Sequence, residues 1–240
     1  MPIPIQNIYY LLCYAWNKLD ESDIVDVRAI KSTELIDLFA KILINSTSRL
    51  LKQGFDRYYV EQEYIVNGIK GKLDLTASIK RNLLPSNKTI CLYDEFDYDV
   101  LHNQILKTTI SKLLRANNLD AELKDELHRV LIKLPPISEI SIRKSHFKQI
   151  RLHRNNYNYD FPLKVCQIIN ENLFVDESSG HYKFKDFLRE EKGMARLFEA
   201  FVRNFYKIEQ SEFKVGREDI NWKFIAKEEG LKSMLPKMST

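Results

Sequence analysis

The chain has 240 residues, 37 Lys+Arg against 33 Asp+Glu, a formal charge of +4 and 44% apolar residues, which excludes collagen-like, low-complexity and disordered classes. Seven Gly and seven Pro are too few turn residues for an all-β protein, so helices should dominate. Three scattered cysteines, Cys13, Cys91 and Cys166, argue against a disulfide framework and a zinc site, and no apolar run is long enough to span a membrane. A cytoplasmic protein is expected.

Residues 5–19 predict an apolar helix, with Ile8, Leu11, Leu12, Ala15, Trp16 and Leu19 at helical spacing and Tyr9, Tyr10, Tyr14 and Trp16 in its core. A second helix should start at an N-cap of Ser32 or Thr33, carry the stripe Leu35, Phe39, Ile42, Leu43 and Leu50, and end at Gly54. The period then changes. Residues 56–66 and 71–79 read as strands around an Asn67-Gly68 hairpin signal, and 88–95 as a third strand. Helices resume after Asp97 and Asp99, with Leu106, Ile110, Leu113 and Leu114 on one face, and another covers about 120–133 before Pro135-Pro136. A helix is expected at 161–174, a loop or linker at 175–184, and a strongly amphipathic helix through Met194, Leu197, Phe198, Phe201, Val202 and Phe205. Strand-like pieces follow at 212–215 and 221–224.

The residues carry no motif for independent catalysis: no phosphate-binding glycine loop, no HExxH, no GxSxG, and five scattered histidines. The cluster Asp94, Glu95, Asp97 and Asp99 is either a hard-cation site or a polar strand-to-helix turn in which Asp97 or Asp99 caps the next helix. The missing Gly bend favours the turn. Residues 140–159 contain no Asp or Glu but carry Arg143, Lys144, Lys148, Arg151 and Arg154. Lys144, Lys148 and Arg151 on one helical face, near Phe147 and Tyr157, would suit DNA phosphates; the competing reading is a solvated basic face. Lys70, Lys72, Lys80 and Arg81 make the hairpin basic, as a partner-binding element or as edge-strand lysines that block aggregation. Glu199 is a weak candidate for a metal-site remnant beside the last apolar stripe.

Five stretches then resemble one family in order. IPIQNIYYLLCYAWNKL (3–19) is similar to the opening of McrC-type proteins, the non-motor subunits of modified-cytosine restriction systems. GKLDLTASI (71–79), YDEFDYDVLHNQILKTTI (93–110), MARLFEAFV (194–202) and LPKMST (235–240) resemble later family blocks, the last one the strand before the first catalytic Asp. The resemblance implies an elongated N-terminal region that enters the pore of a hexameric McrB-like AAA+ GTPase and stimulates it. It also implies a C-terminal PD-(D/E)xK nuclease that cuts DNA with Mg²⁺. Here the sequence stops at Thr240, before the Asp and the D/E-x-K. The expectation is therefore a chain inactive as a nuclease alone, with no cofactor of its own, because one carboxylate cannot hold a productive Mg²⁺. The expected architecture is α+β, mostly helical, with an antiparallel sheet in the N-terminal half and an incomplete restriction-endonuclease-like segment at the C-terminus. The expected divisions are a motor-binding domain at 1–135, a helical connecting region at 136–190 and a truncated nuclease-like segment at 191–240. Alternatives are a nuclease completed in trans, with self-association through the unfinished C-terminal sheet, and a stand-alone DNA-binding module.

Overall fold

A computed structural model describes residues 4–26, 34–175, 182–185, 191–216, 219–220 and 238–239. The chain divides into two compact units, residues 1–23 with 187–240, and residues 24–186.

In the first unit, helix α1 (Ile5–Ala15) packs against α8 (Glu191–Glu209). α1 is shorter than the expected 5–19; a two-turn 3-10 helix covers Leu19–Ile24 instead. Its buried face holds Ile5, Ile8, Tyr9, Leu11 and Leu12, whereas Tyr10 is exposed and Tyr14 and Trp16 are half-buried. α1 ends on Asn17 at φ 53°, with Asn17 N–H donating to the Tyr14 carbonyl at 3.0 Å and Lys18 N–H to that of Cys13 at 2.7 Å, and Asn204 Nδ2 on α8 donates to the carbonyls of Tyr14 and Ala15 at 3.0 Å each. The Tyr14 ring meets Phe201 and Phe205 at 5.7 and 5.3 Å. Residues 212–215 form no strand; β6 (Asp219–Ile220) pairs antiparallel with β7 (Met238–Ser239), and 221–224 lie outside the described residues. The expected swapping of the C-terminal sheet falls mostly on residues outside that description.

The second unit is a helical bundle carrying a sheet. Helices α2 (Leu35–Gln53), α4 (Leu101–Leu114), α5 (Ala121–Ile132) and α7 (Asp160–Asn172) pack on one another. Their apolar stripes supply a core of Phe39, Leu43, Ile105, Ile110, Leu127 and Phe161. The residue at the α2 N-cap is Glu34, without a side-chain cap; Ser32 and Thr33 are outside the described residues. Gly54 ends α2 at φ 94°. α5 starts as expected, with Asp120 Oδ1 accepting from the amides of Glu122 and Leu123. The expected linker at 175–184 is flanked by a ladder, β4 (Leu173–Val175) against β5 (Tyr182–Phe184).

The sheet departs from the sequence expectation in its pairing. β1 (Tyr58–Asn67) does not form a hairpin with the next strand; it pairs along its whole length with β3 (Lys88–Asp97). The stretch expected as a strand at 71–79 holds only β2 (Lys72–Asp74) before turning into helix α3 (Leu75–Lys80), and β2 pairs on the far edge of β3. The order is β1-β3-β2, all neighbours antiparallel. Residues 68–71 therefore fold back across one face of β3. Gly71 lies so close to it that a Cβ would stand 2.7 Å from the Leu92 carbonyl oxygen and 2.8 Å from Tyr93 Cβ.

Candidate functional site

β3 is covered on both faces in the distal half of the sheet. On one side Lys70 N–H donates to Cys91 Sγ at 3.4 Å, Thr89 Oγ1 donates to the Gly68 carbonyl, and Lys70 Nζ sits 4.4 Å from the Tyr93 ring centre. On the other, Ser78 of α3 donates to the Asp74 carbonyl at 2.6 Å and accepts from the Ile90 amide at 2.8 Å. Ile90 and Cys91 are consequently fully buried. This small sandwich buries the middle of β3, yet it leaves several large aliphatic side chains exposed. Ile65, Ile69, Leu75, Ile79 and Leu84 are 52, 69, 51, 58 and 43% exposed.

The partner-binding cations expected from sequence occupy different places. Lys70 lies back on Tyr93 and Lys72 stands opposite Leu92, so both flank the middle of the sheet rather than its tip. Arg81, at the end of α3, pairs with Glu63 at 2.8 Å. The aliphatic cluster was not legible in the sequence, because Leu75 and Ile79 read there as strand positions and α3 presents them instead. Nearer the bundle the exposed face turns aromatic and acidic: Tyr59 and Phe96 meet at 5.2 Å, Arg57 lies 4.8 Å from the Phe96 ring centre, and Glu61 and Asp94 stand opposite each other.

The acidic cluster is dispersed by strand alternation, which puts Asp94 on the face opposite Glu95 and Asp97. Glu95 accepts from Tyr64 Oη at 2.6 Å, which pushes that phenol up to about 12, and Asp97 accepts from Gln62 at 2.9 Å. Neither Asp97 nor Asp99 caps α4, whose N-cap is Val100 without a side-chain bond. Asp99 instead accepts from Ser138 N–H and Oγ at 2.7 Å each and from Gln104 Nε2 at 3.0 Å. Burial works to raise its pKa, but these donors and Lys107 outweigh burial and hold it below the usual value. Among the described residues no three His, Cys, Asp or Glu side chains are grouped so as to hold a metal ion. Glu199 lies exposed on α8.

At its base the sheet is anchored to the bundle through Asp56, whose carboxylate lies beside His102 and Asn156. His102 is 6% exposed, its Nε2 3.3 Å from Asp56 Oδ2, and its pKa is lowered: burial disfavours the cation and so does His153, against the pull of Asp56. Two cavities flank this anchor, one of about 330 Å³ bordered by Gln53, Phe55 and Asn156, the other of about 560 Å³ bordered by Tyr58, His102, Gln149, Arg151 and His153.

The second cavity adjoins the acid-free segment. Its helix, α6 (Lys144–Gln149), is only six residues long, so Arg151 lies beyond it and does not share a helical face with Lys144 and Lys148. Arg143, Lys144, Lys148, Arg151 and Arg154 are all exposed, and none makes an ion pair with a described residue. No helix among the described residues is long and apolar enough to cross a membrane.

A family model described as the McrBC 5-methylcytosine restriction system component matches residues 6–237. Over 238 residues the chain is 31% identical to the type IV methyl-directed restriction enzyme EcoKMcrBC of Escherichia coli (strain K12), covering 99% of this chain and 68% of that protein. The fold matches a chain of the Thermococcus gammatolerans McrBC complex with a TM-score of 0.58 at 20% identity, over 88% of this chain and 60% of that one. It also matches a half-complex from a tetradecameric assembly of Thermococcus gammatolerans McrB AAA+ hexamers with bound McrC, with a TM-score of 0.56 at 21% identity. That match covers 85% of this chain and 46% of the other.

Proposed function

The chain belongs to the McrBC 5-methylcytosine restriction component family, and on that premise we propose that it is a McrC-like accessory subunit whose sheet docks into a hexameric McrB-like AAA+ GTPase and stimulates GTP hydrolysis. The observation that carries this is the exposure of five large aliphatic side chains, Ile65, Ile69, Leu75, Ile79 and Leu84, on the sheet and the segments that cover it. Exposed apolar side chains of this size suit an interaction surface. GTP hydrolysis is limited by positioning and by charge stabilisation, so a rigid inserted element accelerates it by holding a motor residue that orients the attacking water. The contact is then chiefly aliphatic.

GTP turnover by the cognate motor, measured with and without this chain, tests the reading. Stimulation is expected, and Leu75→Asp with Ile79→Asp should raise the half-saturating concentration about ten-fold or more, a penalty of at least about 1.4 kcal/mol. Lys70→Glu with Lys72→Glu should change it less. No stimulation by a folded chain would overturn the proposal.

A second reading is favoured by the exposed, unpaired cations between 143 and 154: the segment contacts DNA phosphates. Binding should then weaken steeply with salt, and each charge removed should reduce the slope of log K against log salt by about one.

A further inference from the structure

Asp56 sits between the end of α2 and the start of β1, where the sheet leaves the bundle, and all four of its polar atoms are engaged within the second unit. Its N–H donates to Tyr159 Oη at 3.0 Å, from the start of α7. Its carbonyl accepts from Asn103 Nδ2 of α4 at 2.9 Å, and the same amide donates to the Tyr98 carbonyl at 2.8 Å, so one side chain ties the beginning of β1 to the end of β3. Oδ1 accepts from Arg57 N–H at 3.1 Å. Oδ2 accepts from Asn156 Nδ2 at 2.8 Å and faces His102 Nε2 at 3.3 Å.

The neighbouring groups extend this network to the basic segment. Asn156 Nδ2 also donates to Tyr58 Oη at 3.1 Å, and its Oδ1 accepts from His153 N–H at 2.7 Å. His153 Nδ1 accepts from Asn155 N–H at 3.3 Å, and its Nε2 lies 2.7 Å from Tyr58 Oη. Tyr58 Oη thus joins Asn156 to His153 beside the Asp56 carboxylate. Asn156 and Asn103 are buried, and the ring edges of Tyr58 and Tyr159 close over His102 at 5.8 and 4.7 Å.

A strand root in a two-layer sheet needs only its ladder bonds. Here the Asp56 carboxylate adds contacts to Asn156 and to His102 of α4, while its backbone N–H and carbonyl bond Tyr159 and Asn103, at the root of β1 where the sheet leaves the bundle. We propose that Asp56 is the positioning residue of this protein: it fixes the angle at which the sheet projects from the bundle, and maximal stimulation of the motor depends on that angle. This rests on the motor-binding reading. A group displaced by about an ångström from the working geometry loses about 100-fold in rate without losing its own contacts. The mount is therefore expected to govern the maximal rate, whereas the aliphatic end governs binding.

The test uses the full chain and two readouts. In GTP turnover titrated with Asp56→Asn or Tyr58→Phe, the maximal stimulated rate should fall about ten-fold, and the half-saturating concentration should stay within about two-fold. Independently of the motor, spin labels at Ile69→Cys and His128→Cys, both exposed while Cys13, Cys91 and Cys166 are buried, report the distance from the sheet's end to the bundle. That distance distribution should be narrow in the parent chain and broadened by either substitution. An unchanged distribution overturns the proposal. So does a broadened one with an unchanged maximal rate, or a change confined to the half-saturating concentration. If the parent chain does not stimulate the motor, the docking reading fails, and the spin-label distances alone decide whether Asp56 sets the angle. If Asp56→Asn does not fold, Tyr58→Phe, which removes one oxygen and leaves Asp56 in place, decides it.

Discussion

Two single residues show how little freedom the second unit has. Gly71 has φ 73° and a backbone that touches β3, so Gly71→Ala imposes both a left-handed strain and a clash with Leu92 and Tyr93. It should destabilise the sheet by about 1–3 kcal/mol, read as faster amide exchange of residues 88–92. His102 supplies the pH dependence. Its folded pKa lies below the ordinary 6.5, and Asp56, Tyr58, Tyr159 and His153 are the titratable groups that face it. The unfolded chain takes up a proton that folded His102 resists, so the stability present above about pH 6.5 is lost as the pH falls below it. Urea titrations between about pH 7 and 5 should show this slope, and His102→Gln should flatten it. Neither property was visible in the sequence. Gly71 read as the start of a strand, and His102 as one of five scattered histidines, because the neighbours that matter to each are more than twenty residues away or on another element.

At the scale of elements, the helices were legible and the sheet pairing was not. α2, α4, α5 and α7 follow their apolar periodicity, and Gly54 and Asp120 mark ends that their local chemistry predicts. Asp120→Ala removes the acceptor for two amides and should cost about 1 kcal/mol by denaturant unfolding. Strand partners are a non-local choice. Asn67-Gly68 signals a turn, but it does not say that the chain folds back over β3 and that β1 pairs with a strand twenty residues later. Ser78 decides part of it, since its hydroxyl takes the Ile90 amide and turns the expected strand into α3. Ser78→Ala leaves that buried amide without a partner and should cost about 1–3 kcal/mol, seen as lost protection of Ile90 in hydrogen exchange.

At the scale of the molecule, the two units are assembled from non-contiguous and contiguous chain respectively. The first unit joins the N-terminal helix to α8, with Asn204 satisfying the last carbonyls of α1. Asn204→Ala should therefore loosen the α1–α8 pair, and faster exchange at residues 11–15 would record it. In the second unit the sheet stands on the bundle, and its two ends differ in chemistry: an aliphatic distal end and a polar, fully bonded root. The proposed partner surface and the proposed mount are thus separated along one module, which is why substitutions at Leu75 and at Asp56 should affect different parameters of the motor's response.

The sequence by itself determined the class, the helices, their main boundaries and the family. These depend on periodicity, capping residues and short ordered blocks, all of which are local. Only the tertiary structure decided which strand pairs with which, that Lys70 lies back on Tyr93, that aliphatic residues form the exposed end, and that Asp56 gathers α4, α7 and the 153–156 segment. Those features depend on contacts between residues tens of positions apart, and the free energy that selects them comes from burial and hydrogen bonding that exist only after the chain has folded.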